Sequence, residues 1–142
     1  MGLIRQAGGT KVPAGEKLRF KILKAVEDEG VHGPQVKLTL EVLDQKFAST
    51  ELHTWAKIAV DEETGERYIA DGGKLFNILM AALHGNTELI NSFESLEDLL
   101  GALEGRTFVS ITRPRGEAGK YTDITWDMIF VDSEADFEDI PF

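Results

Sequence analysis

Regular alternation of apolar and polar residues begins at Glu16. Leu18, Phe20 and Ile22 fall on one side and Lys17, Arg19 and Lys21 on the other, the pattern of a half-buried strand. The polar, glycine-containing stretch 28–34 interrupts it and predicts a hairpin loop. Alternation returns over 35–43, with Val36, Leu38, Leu40 and Val42 set against Lys37, Thr39 and Glu41. A third strand is predicted over 51–60, with Leu52, Thr54, Ala56 and Ile58 inward and His53, Trp55 and Lys57 outward. Residues 61–66 read as a solvated turn. The period then becomes helical. Asp71 is placed as the N-cap of a helix through His84, with Leu75, Leu79, Ala82 and Leu83 on one stripe and Gly85 as its stop. Ser95, with Asp98 three residues on, opens a shorter helix that buries Leu96, Leu99, Leu100 and Leu103 and ends at Gly105. Two more strand-like runs, 107–112 and 121–131, flank the basic loop 113–120. Trp126 shares phase with Ile124, Met128 and Phe130 and is assigned to the core.

Three strands, a helical insert and two strands make a mainly β chain of order β-β-β-α-α-β-β. That is the connectivity of the five-stranded OB-fold barrel, which binds oligonucleotides and oligosaccharides. An open α+β sheet with its helices on one face is the competing architecture. A length of 142 residues suits one domain. The expected division is a flexible, glycine-rich basic arm over 1–15, the OB domain over 16–131 and a disordered acidic tail over 132–142.

No apolar run approaches the roughly 20 residues of a membrane span, and the first fifteen residues lack the apolar stretch of a signal peptide. Without cysteine there is no disulfide framework and no thiolate for zinc or nucleophilic chemistry. A cytoplasmic location is therefore expected.

A net charge of −10 argues against a phosphate-binding protein until its distribution is considered. The tail alone, with Asp132, Glu134, Asp136, Glu138 and Asp139 and no base, carries half of it. Residues 1–24 hold six bases against the single acid Glu16, and Arg106, Arg113, Arg115 and Lys120 cluster against Glu117. Such segregation can create a basic face on an acidic protein. If the first three strands are neighbours, Lys17, Arg19, Lys21, Lys37 and Lys57 share a surface with His53 and Trp55. Cations along a strand path and a ring on which a base can stack are what single-strand binding requires. Tyr121, at a loop edge beside Arg113, Arg115 and Lys120, is a second candidate ring. Two alternatives stand against Trp55: a bulge that turns it inward, or a helix that covers it.

Catalytic chemistry finds no foothold. Gly72-Gly73-Lys74 at a helix start lacks the earlier glycine of a phosphate loop, where Tyr68 stands, and Leu75 replaces its magnesium-binding hydroxyl. His32, His53 and His84 show no metal-ligand spacing. The carboxylates lie in solvated runs, not as an isolated pair. Neither enzyme activity nor a cofactor or metal is expected.

The tail cannot order itself, because its like charges repel and little of it can be buried. It nevertheless closes on apolar Ile140, Pro141 and Phe142. Asp136, Phe137, Glu138, Asp139, Ile140, Pro141 and Phe142 together resemble the acidic tip of bacterial single-stranded DNA-binding proteins, which typically ends Asp-Asp-Ile-Pro-Phe; Glu138 keeps the charge where that pattern has Asp. The resemblance implies a docking peptide for replication, recombination and repair proteins, anchored by the final Pro-Phe and its carboxylate. The body departs from that family, since the long Gly/Pro/Gln-rich linker is missing. Its compact layout is more similar to the single-stranded DNA-binding proteins of bacteriophages, which implies a bacterial host cytoplasm. Tetramer formation does not carry over, and homo-oligomerisation stays open. The expectation is a protein that coats single-stranded DNA with little sequence preference and recruits partners through its tip. The rival is a protein-interaction adaptor whose body never touches DNA.

Overall fold

Fourteen residues of continuous strand, β1 (Lys17–Gly30), run through the middle of a five-stranded antiparallel sheet. The computed structural model describes residues 12–31, 33–44, 47, 50–116 and 121–132. β1 is followed by β2 (Gly33–Val42) and β3 (Glu51–Lys57), then by a small hairpin of β4 (Ala59–Val60) and β5 (Arg67–Tyr68). Three helices come next: α1 (Lys74–Ala82), α2 (Thr87–Ser92) and α3 (Leu96–Leu103). β6 (Thr107–Arg115) and β7 (Tyr121–Phe130) complete the sheet in the order β3-β2-β1-β6-β7. The protein is thus mainly β with a helical insert. Among the described residues no ladder joins the outer strands β3 and β7, so the sheet is not closed by hydrogen bonding.

The core follows the alternation. Leu18, Phe20 and Ile22 of β1, Val36, Leu38, Leu40 and Val42 of β2, and Thr54, Ala56 and Ile58 are all buried. The Phe20 and Phe108 rings stack at 5.7 Å between centroids under the centre of the sheet. Leu75, Ile78 and Leu79 of α1 and Leu99, Leu100 and Leu103 of α3 close the core, with α1 against β3, β6 and β7 and α3 against β1. Ser95 caps α3 through its side chain, accepting from the Asp98 amide at 3.1 Å. Gly85, in the left-handed region at φ +73°, ends α1 by donating its amide to the Met80 carbonyl at 2.7 Å.

Several local expectations are corrected. Residues 28–30 and 33–34 belong to β1 and β2, in register as far as Gly30↔Gly33. Beyond the core these strands have nothing apolar to bury, so polar residues ride on main-chain pairing and the loop signal misleads. Arg67 reaches Glu27 at 3.5 Å and Glu29 at 2.6 Å on that hairpin. The N-cap of α1 is Gly73, with no side-chain cap hydrogen bond, because the turn at Gly72 (φ +79°) leaves Asp71 outside the helix. α2 and the β4–β5 hairpin went unread, since α2 buries no residue and has no stripe to detect.

The largest correction concerns Trp126. β6 and β7 pair from Val109↔Phe130 to Ser110↔Ile129 and resume only at Thr112↔Ile124, so residues 125–128 bulge out opposite Ile111. Ser110 donates its hydroxyl to the Met128 carbonyl at 2.8 Å, and Asn77 donates to the Trp126 carbonyl at 2.8 Å, fixing the bulge. Trp126, Met128 and Phe130 are consequently 48%, 43% and 44% exposed.

The ends of the chain differ from expectation too. Val12 is buried, its carbonyl accepts from the Thr122 hydroxyl at 2.6 Å, and the Gly15 amide donates to the Thr112 carbonyl at 2.7 Å. Residues 12–15 are therefore docked on β6 and β7, while 1–11 lie outside the described residues. Asp132 is buried and paired with Arg19 and does not belong to a solvated tail. The bulge makes one clear forecast. In urea unfolding, Trp126→Ala should cost less than about 1 kcal/mol, whereas a core tryptophan would cost roughly 3–5 kcal/mol.

Candidate nucleic-acid interface

The outward face of β1, β2 and β3 is set by register. Trp55 stands opposite Lys37, His53 opposite Thr39, and Lys57 opposite Gln35. A bulge at Leu23 in β1 shifts the phase by one residue, which puts Lys24 opposite Thr39 and completes a row with His53. Strict alternation from Ile22 places Lys24 inward, whereas the bulge leaves both Leu23 and Lys24 exposed. No bulge turns Trp55 inward: it is half-buried, between the inward Thr54 and Ala56.

Side chains from distant elements converge on this indole. The Lys37 ammonium lies 5.8 Å from its centroid and the Arg115 guanidinium carbon 5.0 Å away. The same guanidinium lies 5.1 Å from the Tyr121 ring, so Arg115 is shared between two aromatic groups from β3 and β7. Lys57 and His53 are exposed, and His53 Nδ1 is 3.4 Å from the Thr39 hydroxyl. Arg113 is exposed and stands opposite Asp123 across the β6–β7 ladder.

The basic residues of early β1 are not part of this group. Lys17 and Arg19 pair with Ile111 and Val109 of β6, whereas β2 joins β1 only from Phe20 onward. Lys21 bridges the two regions, opposite Glu41 on one side and Thr107 on the other. The Lys17 ammonium sits 5.5 Å from the Phe130 centroid. Arg19 makes a two-pronged contact with Asp132, Nε at 3.0 and 3.1 Å and an η nitrogen at 2.9 Å. Strand adjacency alone would have united all five lysine and arginine residues; the register divides them. Lys120 and the tip residues Asp136, Phe137, Glu138, Asp139, Ile140, Pro141 and Phe142 lie outside the described residues, as does His32.

Beneath Arg115 lies a polar seam where β3, β7 and α1 meet. Asp123 is buried and accepts from the Thr54 hydroxyl at 2.5 Å and from the Ile124 amide at 2.7 Å. The Lys74 ammonium is 3.6 Å from one of its oxygens and Arg115 Nε 3.5 Å from the other. Burial holds the Lys74 ammonium below the ordinary lysine pKa; the Asp123 carboxylate opposes that shift, while Arg113 and Arg115 add to it. The sequence singles out Gly72-Gly73-Lys74 only as a phosphate loop that fails its pattern, and nothing in it marks Asp123.

No group of three or more His, Asp or Glu able to hold a metal occurs among the described residues. No helix among them is long and apolar enough to cross a membrane. No family model matches the chain, and no curated protein matches it in sequence.

The Lys74 shift fixes the sign of a pH dependence. Between its lowered pKa and the ordinary 10.5, the unfolded chain binds more protons at this site than the folded one. Stability contributed by the seam therefore rises with pH across that interval. As pH is raised toward 10.5, urea midpoints of the wild type should rise relative to Lys74→Met, and parallel curves would refute the assignment.

Proposed function

We propose that this chain is a non-enzymatic binding protein for single-stranded DNA, which it holds on the face around Trp55 with little sequence preference. The observation that carries this reading is the half-buried indole set among Lys37, Arg115 and Tyr121. Base–aromatic stacking contributes about 1–3 kcal/mol per base and tolerates any sequence, while the neighbouring cations meet the backbone. Lys24, Lys57 and His53 extend the same face along β1 and β3, and Arg113 extends it along β6. Part of the acidic total is engaged elsewhere on this reading: Glu27 and Glu29 face Arg67, and Glu62, Glu63 and Glu66 lie in the turn between β4 and β5.

The architecture supports the same conclusion. Strand order β3-β2-β1-β6-β7, with the helical insert before β6 and the outer strands drawn together at Thr54 and Asp123, fits a partly open OB barrel. In such a barrel the exposed side of β2 and β3 and the loop between the last two strands form the groove. Trp55 and Lys37 occupy that side, and Arg115 and Tyr121 flank that loop. The tip at 136–142 then serves as a docking peptide for replication, recombination or repair proteins, on the strength of its likeness to the bacterial tip.

A second reading, a protein-interaction adaptor, draws on the exposed Trp126, Met128 and Phe130, a row of apolar side chains on β7. Titration of a fluorescent oligo-dT at two salt concentrations separates the two. Salt-dependent binding is expected, with tryptophan quenching, and Trp55→Ala should weaken it by about 1–3 kcal/mol without unfolding the chain. Wild-type protein that ignores the oligonucleotide would leave the adaptor reading in possession.

The tail has its own test. Deleting residues 133–142 should tighten oligo-dT binding at low salt, and the gain should shrink as screening shortens the reach of exposed charge to roughly 8–10 Å. Removing Phe142 alone deletes no acid, so DNA affinity should hold while capture of replication or repair proteins is lost.

A further inference from the structure

Among the described residues, the seam around Asp123 sets three cations against one carboxylate. Lys74, Arg113 and Arg115 approach from α1 and β6, and the described neighbours supply one carboxylate between them. That carboxylate is already committed, since one oxygen accepts from the Thr54 hydroxyl and the Ile124 amide. Arg115 Nε, buried, stands 3.5 Å from the other Asp123 oxygen and makes no hydrogen bond among the described residues. Three cations so close repel one another, and partial burial limits the water available to separate them. An anion at the mouth of the seam relieves the repulsion and provides the missing acceptor.

The surroundings specify which anion. Arg115 lies against both Trp55 and Tyr121, so a negative group bound to it sits beside two rings. A guanidinium suits the paired oxygens of a carboxylate or a phosphate, but rings at the same place suit a group that carries a base. α1 also begins here with no acid in its first turn and no side-chain cap hydrogen bond, so the positive end of its dipole adds to the potential. Resting on the single-strand reading above, we propose that this seam anchors one phosphodiester, gripped by Lys74, Arg113 and Arg115, while the adjoining base stacks at Trp55 and Tyr121. Asp123 is the positioning residue: it touches no DNA, and it holds Lys74 and Arg115 at the junction of β3, β7 and α1. The site draws on the helical insert as well as the sheet, so the strand's path turns from β3 toward α1.

The test is a set of salt titrations of full-length protein with a labelled oligo-dT. Losing one phosphate contact to a single strand lowers the slope of log K against log salt by about 0.7. Lys74→Met, which keeps the buried stem, and Arg113→Gln should each lower the slope by up to about 0.7, and Lys74→Arg should restore it. Because both residues address one phosphate, their double variant should lose no more than about 0.7, whereas Lys74→Met combined with Lys37→Met should lose about 1.4. A short oligo-dT with one neutral methylphosphonate at successive positions should show a single linkage whose loss weakens the wild type and leaves Lys74→Met unaffected. Arg113 is exposed, so its variant keeps the test intact should Lys74→Met fail to fold. Wild-type slopes in both single variants, with Trp55→Ala still weakened, overturn the anchor and leave the single-strand reading standing. Additive losses from Lys74 and Arg113 overturn the shared grip. If the wild type does not bind oligo-dT at all, the underlying reading falls and takes the anchor with it.

Discussion

A single buried carboxylate joins the two edges of this sheet. β3 and β7 share no ladder, yet Thr54 and Asp123 meet at 2.5 Å across the gap, 69 residues apart in sequence. A buried acid is costly unless it is paired and hydrogen-bonded, so the elements around it must supply partners. Thr54 comes from β3, Lys74 from the first turn of α1, Arg115 from the end of β6, and the Ile124 amide from β7 itself. The same constraint that fastens α1 between the outer strands also sets Arg115 beside Trp55 and Tyr121. The arrangement of the candidate surface is in this sense a consequence of how the sheet is fastened.

Charge is distributed by the same logic of partnership. Asp132 holds Arg19 through two nitrogens, with only 1% of the acid exposed, which secures the chain just after β7 against the start of β1. Arg67 on Glu27 and Glu29 is more open to water, and pairs of that kind contribute little to stability. The remaining cations of the outward face, Lys24, Lys37 and Lys57, stand on strands with no carboxylate directly across from them. On the same face Glu41 stands between Lys21 and Glu51, so Glu41 and Glu51 occupy a different rung of the sheet from those lysines. The bulge in β7 has a parallel effect on apolar groups, since it turns Trp126 and Met128 outward along an edge strand.

The sequence by itself determined the five strands of the main sheet and the two helices with apolar stripes, because alternation and the 3.6-residue period are local consequences of one buried face. It determined the inward set from Leu18 to Ile58, the Ser95 cap and the Gly85 stop, and it placed Trp55 on the outward phase. Only the tertiary structure decided where those phases change. The bulges at Leu23 and at residues 125–128 arise from pairing with β2 and β6, which no single strand encodes, and they moved Lys24 into the candidate site and Trp126 out of the core. The tertiary structure likewise decided which cations stand together. Alternation reports the face a residue occupies, whereas register decides its neighbour, and so Lys17 and Arg19 went to β6 while Lys74 and Arg115 came to Trp55 and Asp123. Partnerships across 69 and 113 residues leave no periodic trace, because a buried polar contact needs only that two side chains meet once.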